Sequence, residues 1–209
     1  MRELELYDNQ ITKLENLDAL VNLEVLDVSH NRLRVIEGLE NLTKLKKLFL
    51  VSNKITKIKN IGHLTSLDML ELGDNRIRKI ENIETLVNLK QLFLGKNKIT
   101  KLENMDCLHQ LTTLSIQSNR IVDVENLDKL ANLDELYISH NGIQVIQGLS
   151  ENKKLTTLDL AGNRITTLDN LDELVNIEEF WFNDNQVRGC KSSYRTFCVR
   201  QIKSWSMLW

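Results

Sequence analysis

The chain has 209 residues, with 27 basic against 29 acidic side chains and a formal net charge of −2. That length fits one domain or one short repeat array, and the balanced charge gives no bulk reason to bind nucleic acid or membrane. Three cysteines without a CxxC pair disfavour a disulfide scaffold and a zinc finger. Leucine occurs 37 times and asparagine 22 times, while proline is absent. Because an ordinary enzyme domain does not need that pair in such excess, the composition favours a repeat.

The N-terminal segment, MRELELYDNQ, lacks the apolar centre of a signal peptide. The chain also has no run of 18 apolar residues, so the sequence predicts no membrane-spanning helix. Together with the cysteine count, these features lead us to expect an intracellular, reducing location.

Asparagine recurs with a constant step of 22 residues, without insertion or deletion. The nine positions are Asn9, Asn31, Asn53, Asn75, Asn97, Asn119, Asn141, Asn163 and Asn185. Counted from each asparagine, apolar residues fall at −8, −5, −3, +2, +5, +8 and +11, and Asn152 is the exception at +11 before the last unit. The pattern LxxLxLxxNxIxxIxxLxxL is typical of a leucine-rich repeat.

This spacing predicts the local structure. Leucines at −5 and −3 point to one face of a short strand, and one strand per repeat makes a parallel sheet with neighbours ~4.8 Å apart. Later apolar positions step by three, which suits turns or 3₁₀ segments. We therefore predict an α/β leucine-rich-repeat solenoid over residues 1–187. Its parallel sheet would lie on the concave face, with short 3₁₀ or turn segments on the convex face. Met1 already occupies a −8 position, so the first repeat is expected to be uncapped.

The repeated asparagine is interpreted as structural. Its amide can bond main-chain groups of its own coil and the next, and stacked copies would form an asparagine ladder that satisfies buried backbone. Position +7 holds only asparagine or glycine in the first eight repeats, as at Asn16 and Gly38. Because these residues tolerate a positive φ, position +7 is predicted to be a turn.

Function must come from positions that the repeat leaves free. The strand residues at −6 and −4 point away from the leucines. The −4 row is Glu5, Asp27, Phe49, Glu71, Phe93, Ser115, Tyr137, Asp159 and Trp181, and the −6 row is Glu3, Val25, Lys47, Met69, Gln91, Thr113, Glu135, Thr157 and Glu179. Four aromatic side chains alternate with acids in the −4 row, which indicates a surface that binds protein. The alternative is that these aromatics stack merely to cover the sheet.

Basic residues form separate rows. Position +1 holds Arg32, Lys54, Arg76, Lys98, Arg120 and Arg164, and position +4 holds Lys13, Lys57, Lys79 and Lys101. A nucleic-acid interpretation would use the +1 row as a phosphate track. Acids at +6, such as Glu81 and Glu103, weaken the positive electrostatic field of these basic rows. They favour a solvated, partly salt-bridged edge.

Catalytic constellations are missing from the sequence. His30 and His140 lie five repeats apart, and the acids Glu71 and Asp159 are predicted to lie four coils, roughly 19 Å, apart. No GxxxxGK[ST], GxGxxG, HExxH or GxSxG motif occurs. Cys107 is interpreted as a small buried hydrophobic residue. We therefore expect no enzyme activity, no cofactor, no metal site and no small-molecule substrate.

The segment 188–209, RGCKSSYRTFCVRQIKSWSMLW, departs from the repeat and carries five basic groups and no acid. It is predicted to be either an improvised C-terminal cap or a divergent basic tail. An amphipathic helix that binds membrane or calmodulin is a further alternative.

Several strings resemble a known family: RELELYDNQI (2–11), LKKLFLVSNKI (45–55), LFLGKNKITKL (92–102), ELYISHNGIQVI (135–146) and EEFWFNDN (178–185). They resemble the leucine-rich-repeat regulatory subunits of protein phosphatase 1, over about residues 1–187. That resemblance implies a nuclear and cytoplasmic regulator that holds the phosphatase catalytic subunit through its concave face. The matching positions are Asp27, Phe49, Glu71, Phe93, Asp159, Glu179 and Trp181, to which the −4 row adds Tyr137.

The sequence therefore predicts a non-catalytic regulatory or scaffolding subunit, monomeric before it binds its partner. Two alternatives remain open at this point. One is a leucine-rich-repeat adaptor for a cytoskeletal or ciliary motor partner, and the other is an RNA-binding accessory that uses the +1 row. A bacterial cell-surface repeat protein is disfavoured because such proteins usually carry proline in the turn.

Overall fold

The structure is a computed structural model that describes residues 1–188. Each of the nine repeats contributes one strand of three residues. The strands are β1 (Glu3–Glu5), β2 (Val25–Asp27), β3 (Lys47–Phe49), β4 (Met69–Glu71), β5 (Gln91–Phe93), β6 (Thr113–Ser115), β7 (Glu135–Tyr137), β8 (Thr157–Asp159) and β9 (Glu179–Trp181). They form one sheet in chain order, and all neighbours are parallel. The predicted parallel sheet of stacked coils is therefore confirmed.

The register of the sheet follows the repeat length. Each strand residue pairs with the residue 22 positions later, as Leu26 pairs with Leu48 and Leu48 with Leu70. Equivalent side chains of successive repeats therefore lie beside each other in straight rows. Residues at one repeat position, such as −4, therefore form one row on the surface of the sheet.

The apolar positions fill a single core behind the sheet. Leu48, Leu50, Ile55 and Ile58 of the third repeat are all fully buried, and the same positions are buried through the inner repeats. In the first repeat Leu4 and Leu6 are only half-buried, because they pack against a described coil on one side only. Apolar burial of about 1.5–3 kcal/mol per large side chain is the main term that holds the coils together.

The convex side consists of turns. Each inner coil contains two successive hydrogen bonds in which an N–H donates to the carbonyl three residues earlier. The Leu64 N–H donates to the Ile61 carbonyl, and the Leu67 N–H donates to the Leu64 carbonyl. These bonds are three residues apart, so they do not join into a continuous helix. Residues 1–188 contain no regular α- or 3₁₀-helix. Of the two predicted possibilities, 3₁₀ segments or turns, the described residues show turns. A repeat of 22 residues leaves no room for a helix after the strand and the two bends that close the coil.

Two positions in the repeat adopt left-handed backbone conformations. The prediction for position +7 is confirmed: Asn60 has φ 59°, Asn104 has φ 61° and Gly38 has φ 72°. Position −1 is the second, with φ values of 50–57° at residues as different as His30, Ser52 and Asp184. Sequence reasoning missed position −1 because its residue types vary and only one repeat places glycine there.

Asn152 occupies a leucine position of the core and is completely buried. Its Nδ2 donates to the carbonyls of Leu127 (2.9 Å) and Leu130 (3.1 Å). Its Oδ1 is buried and has no hydrogen-bond partner within residues 1–188. Both carbonyls already accept backbone N–H groups, from Leu130 and Leu133, so neither depends on the asparagine.

We predict that Asn152→Leu raises the free energy of unfolding by about 1–2 kcal/mol. The change removes an unpaired buried oxygen, whose burial costs about 1–3 kcal/mol, and adds apolar surface to the core. Thermal melting should show a midpoint higher by about 2–4 °C per kcal/mol. A lower midpoint than that of the parent chain would show that the leucine does not fit this coil.

In the described part of the chain, no helix has the length and apolar character needed to cross a membrane. The segment 188–209, predicted to be a tail or a cap, lies outside the described residues apart from Arg188, so the predicted solenoid boundary after residue 187 stays a prediction.

Candidate functional site: the outer face of the sheet

The outer face of the sheet, defined by the −6 and −4 residues of β1–β9, carries all the predicted partner-binding residues. Asp27, Phe49, Glu71 and Phe93 are consecutive in the −4 row on β2–β5, as the pairings Asp27↔Phe49, Phe49↔Glu71 and Glu71↔Phe93 show. Tyr137, Asp159 and Trp181 are consecutive in the same row on β7–β9, and Glu179 lies in the −6 row of β9.

These residues form two groups rather than one. Between them, β6 contributes Thr113 and Ser115, which are both buried and present little surface. Asp27 and Trp181 lie seven coils apart, roughly 34 Å. The residues therefore do not meet at one point, and a partner that contacts both groups must be a macromolecule.

Three carboxylates of the −4 row are fixed by the backbone two residues further on. Oδ1 of Asp27 accepts the Ser29 N–H at 2.8 Å, and Oε1 of Glu71 accepts the Gly73 N–H at 2.8 Å. Oδ1 of Asp159 accepts the Ala161 N–H at 3.0 Å. Each acid is thereby oriented before any partner binds. A sequence signal for this contact exists, since a small residue follows each of these acids at i+2.

The outer face is strongly acidic although the chain is nearly neutral. Its strand positions hold seven carboxylates, at Glu3, Glu5, Asp27, Glu71, Glu135, Asp159 and Glu179. The only basic residue within these nine strands is Lys47. No second layer of the described chain covers this face, since the core lies wholly behind the sheet. The arrangement suits a partner that presents a basic patch.

Tyr137 reports the negative field at the C-terminal end of the face. Its pKa is raised, first because of burial and then because of the charges of Glu135, Glu179, Asp159 and Asp134. Sequence reasoning did not include Glu135 among the site residues, although its −6 position beside Tyr137 on β7 was visible in the repeat. The acids of three adjacent strands therefore act on one aromatic side chain.

Glu71 lies between Phe49 and Phe93 and is half-buried. Burial raises its pKa to about 6 from the usual 4.5, and the hydrogen bond from the Gly73 N–H opposes part of that rise. The folded chain therefore binds a proton at Glu71 more tightly than the unfolded chain does. The contribution of Glu71 to the free energy of unfolding should therefore fall as the pH rises from about 4.5 to about 6.

We predict that Glu71→Gln removes this dependence. The size of the pKa shift limits the stability difference between the variant and the parent to about 2 kcal/mol. Solvent screening of a half-buried group reduces this difference to about 1 kcal/mol. The variant should be more stable than the parent at pH 7, and the difference should vanish near pH 4. Urea unfolding at pH 4, 5, 6 and 7 measures it, with Glu5→Gln in the exposed first strand as the matched change. Parallel pH profiles for Glu71→Gln and the parent would contradict the prediction.

The asparagine ladder lies at the edge of this face and fixes the turn that follows each strand. Nδ2 of Asn97 donates to the carbonyls of Leu94 (3.1 Å) and Gly95 (3.2 Å) in its own coil and of Leu72 (2.9 Å) in the preceding coil. Its Oδ1 accepts the Ile77 N–H at 2.9 Å. The inter-coil bonds run to the preceding coil and not, as expected, to the next. The same pattern recurs at Asn31, Asn53, Asn75, Asn119, Asn141, Asn163 and Asn185.

Asn9 is the ladder asparagine of the first described repeat. It makes only the two bonds within its own coil, to the carbonyls of Leu6 and Tyr7.

Among residues 1–188, the other reactive side chains lie apart from one another. Cys107 is exposed on the convex side, so its interpretation as a buried residue is wrong. The reason is its position at +10, which faces outward beside the buried Leu108 at +11. Within residues 1–188, no three histidine, cysteine, aspartate or glutamate side chains converge to hold a metal ion.

The stacked 22-residue coils, the parallel sheet and the leucine core define a leucine-rich-repeat solenoid. The leucine-rich repeat region family matches residues 1–208, and the chain belongs to that family. Internalin C2 of Listeria monocytogenes has a similar structure, with 28% identity, a TM-score of 0.80 and coverage of 88% of this chain and 80% of that one. A leucine-rich-repeat protein of Leptospira interrogans is 26% identical with a TM-score of 0.76, covering 97% of this chain and 60% of that one.

The chain is also similar to a curated relative, the protein phosphatase 1 regulatory inhibitor subunit PPP1R7 homolog of Arabidopsis thaliana. The two are 44% identical over 50 residues, which is 24% of this chain and 15% of the relative. The family resemblance expected from the sequence is therefore confirmed. The fold and the relative together support a protein-interaction scaffold.

Proposed function

We propose that this chain is a non-catalytic regulatory or scaffolding subunit that binds the catalytic subunit of protein phosphatase 1 through the outer face of its sheet. The observation that carries the proposal is the outer face itself: seven carboxylates against one lysine, interleaved with Phe49, Phe93, Tyr137 and Trp181. The similarity to a phosphatase 1 regulatory subunit homolog supports this choice of partner.

The mechanism is the occupation of a surface. Half-buried Phe49 and Phe93, with Trp181 at 38% exposure, offer apolar area that a partner can cover. Aromatic residues in such positions carry much of the binding energy in protein interfaces. The carboxylates of Asp27, Glu71 and Asp159 are already oriented by backbone N–H groups, so little ordering is needed when a basic patch arrives.

The test is direct binding between purified chain and purified phosphatase 1 catalytic subunit, measured by calorimetry and size-exclusion chromatography. We expect a one-to-one complex whose affinity falls as salt is raised from low to high concentration, because the acidic face attracts a basic patch. Tubulin, a motor chain and single-stranded RNA are titrated in parallel. Binding of any of these three, with no phosphatase complex, would overturn the proposal.

From the same resemblance we propose that the chain acts inside the cell, in both nucleus and cytoplasm. A fluorescent fusion expressed in eukaryotic cells should be visible in both compartments. Retention in the secretory pathway would contradict this.

A further inference from the structure

A partner of ordinary size on the outer face would also reach the edges of the sheet. Each strand is three residues long, about 10 Å, and the nine strands span about 38 Å. The flat area of the sheet is therefore about 400 Å². A stable interface covers about 800 Å² on each partner. The two edges of the sheet are therefore the next surfaces that such a partner would meet.

The two edges of the sheet differ in charge. At the edge where the strands begin, position −7 carries both signs, with Arg2, Lys46 and Lys90 against Glu24, Asp68, Asp134 and Glu178. Several of these groups already have partners: Lys46 pairs with Glu24 at 2.7 Å, Arg2 pairs with Glu24 at 3.5 Å, and the Thr156 hydroxyl donates to Asp134 at 2.6 Å. This edge is therefore close to neutral, and several of its charged groups are already paired within the chain.

The edge where the strands end carries a single sign at position +1. Five successive coils place Arg32, Lys54, Arg76, Lys98 and Arg120 there, a set that we name the basic edge. All five side chains are exposed or half-exposed, and none is in an ion pair with a carboxylate of residues 1–188. The −1 row between the outer face and the basic edge is mixed: it holds Asp8, Asp74 and Asp184, together with Lys96.

The backbone holds the basic edge in fixed register. Each residue of this row donates its N–H to a carbonyl of the preceding coil, as Arg76 does to Ile55 (2.8 Å), Lys98 to Ile77 (2.8 Å) and Arg120 to Ile99 (2.8 Å). The Cα atoms of the five residues therefore follow the coil spacing of about 4.8 Å and span about 19 Å. Five like charges at that spacing repel each other, and an anionic surface would relieve the repulsion.

We infer that the basic edge is a second contact surface for the protein that fills the outer face, and that it binds an acidic strip on that partner. The inference rests on the proposed function. A partner with a basic patch on the acidic face and an acidic strip on the basic edge fits in one direction only. The basic edge would thus set the orientation of the partner on the solenoid.

The test compares two charge-matched double variants for binding to the purified phosphatase 1 catalytic subunit. Arg76→Glu with Lys98→Glu reverses the sign of the basic edge. Lys90→Glu with Lys154→Glu makes the same charge change on the opposite flank, where both lysines and Asp134 line one open pocket. We expect the first variant to bind about tenfold more weakly than the parent at low salt, with a smaller loss at high salt. The second variant should bind as tightly as the parent or slightly more tightly.

The direction of the effect separates the inference from a general field effect. If the partner is merely basic, added glutamates attract it, and the basic-edge variant will bind more tightly; that result, or an unchanged affinity, overturns the inference. Arg76→Ala with Lys98→Ala checks the result without new charges, and melting curves check the fold. The inference would also be overturned if the basic-edge variants lost binding to a 20-nucleotide RNA while their affinity for the phosphatase stayed unchanged. If the parent chain binds no phosphatase, the proposed function fails together with the inference.

Discussion

Replacing Phe49 and Trp181 by alanine should release the phosphatase catalytic subunit while the solenoid stays folded. Truncation of a buried anchor aromatic typically costs ~2–4 kcal/mol of binding free energy, so each single variant should weaken the complex by about 30-fold to 1,000-fold. Phe49 is half-buried on β3 and Trp181 is 38% exposed on β9, so neither belongs to the leucine core.

The double variant should show the sum of the two losses. The residues lie six coils apart, roughly 29 Å, and changes separated by more than about 10 Å usually add within 0.5 kcal/mol. Additivity would show that one partner contacts both groups of the outer face. If only one single variant weakens the complex, the interface covers one group and not the other.

Calorimetric titration of the parent, both single variants and the double variant against the catalytic subunit measures these effects. Val87→Ala is the matched control, because Val87 is an exposed apolar residue away from the outer face. Its affinity should equal that of the parent. Retention of the phosphatase by the double variant at normal strength would remove the aromatic row from the site.

A single central asparagine of the ladder should matter more than one at the end of the solenoid. Asn97→Ala deletes three donor contacts and leaves the buried Ile77 N–H without its acceptor. The unpaired groups should lower the free energy of unfolding by about 1–3 kcal/mol. Asn9→Ala removes the same side chain where it makes only two exposed contacts, so we expect a loss below about 0.5 kcal/mol.

Thermal and urea unfolding of both variants test this difference. The melting midpoint of Asn97→Ala should fall by about 2–4 °C for each kcal/mol lost. Asn97→Asp keeps an acceptor for Ile77 but turns its second carboxylate oxygen toward the carbonyls of Leu72, Leu94 and Gly95, so at pH 7 its midpoint should be no higher than that of Asn97→Ala. Equal midpoints for Asn97→Ala and Asn9→Ala would mean that inter-coil bonding by the ladder adds nothing.

The amino-acid sequence by itself determined the repeat, the parallel sheet and the rows on its outer face. A constant step of 22 residues places equivalent residues side by side whatever their type, so the order Asp27, Phe49, Glu71, Phe93 could be read before any coordinates. The left-handed turn at position +7 was equally visible, because only asparagine and glycine occur there in the first eight repeats. These features depend on residue type and spacing alone.

Other features were decided only by the tertiary structure. The raised pKa of Glu71, the unpaired oxygen of Asn152 and the direction of the asparagine ladder all depend on groups in neighbouring coils. Those groups lie about one repeat away along the chain, and their distances and burial follow from how the coils stack. The left-handed backbone at position −1 and the exposure of Cys107 were also seen only in the structure. A repeat pattern gives the row in which a side chain lies, but its solvation and its hydrogen-bond partners come from packing between coils.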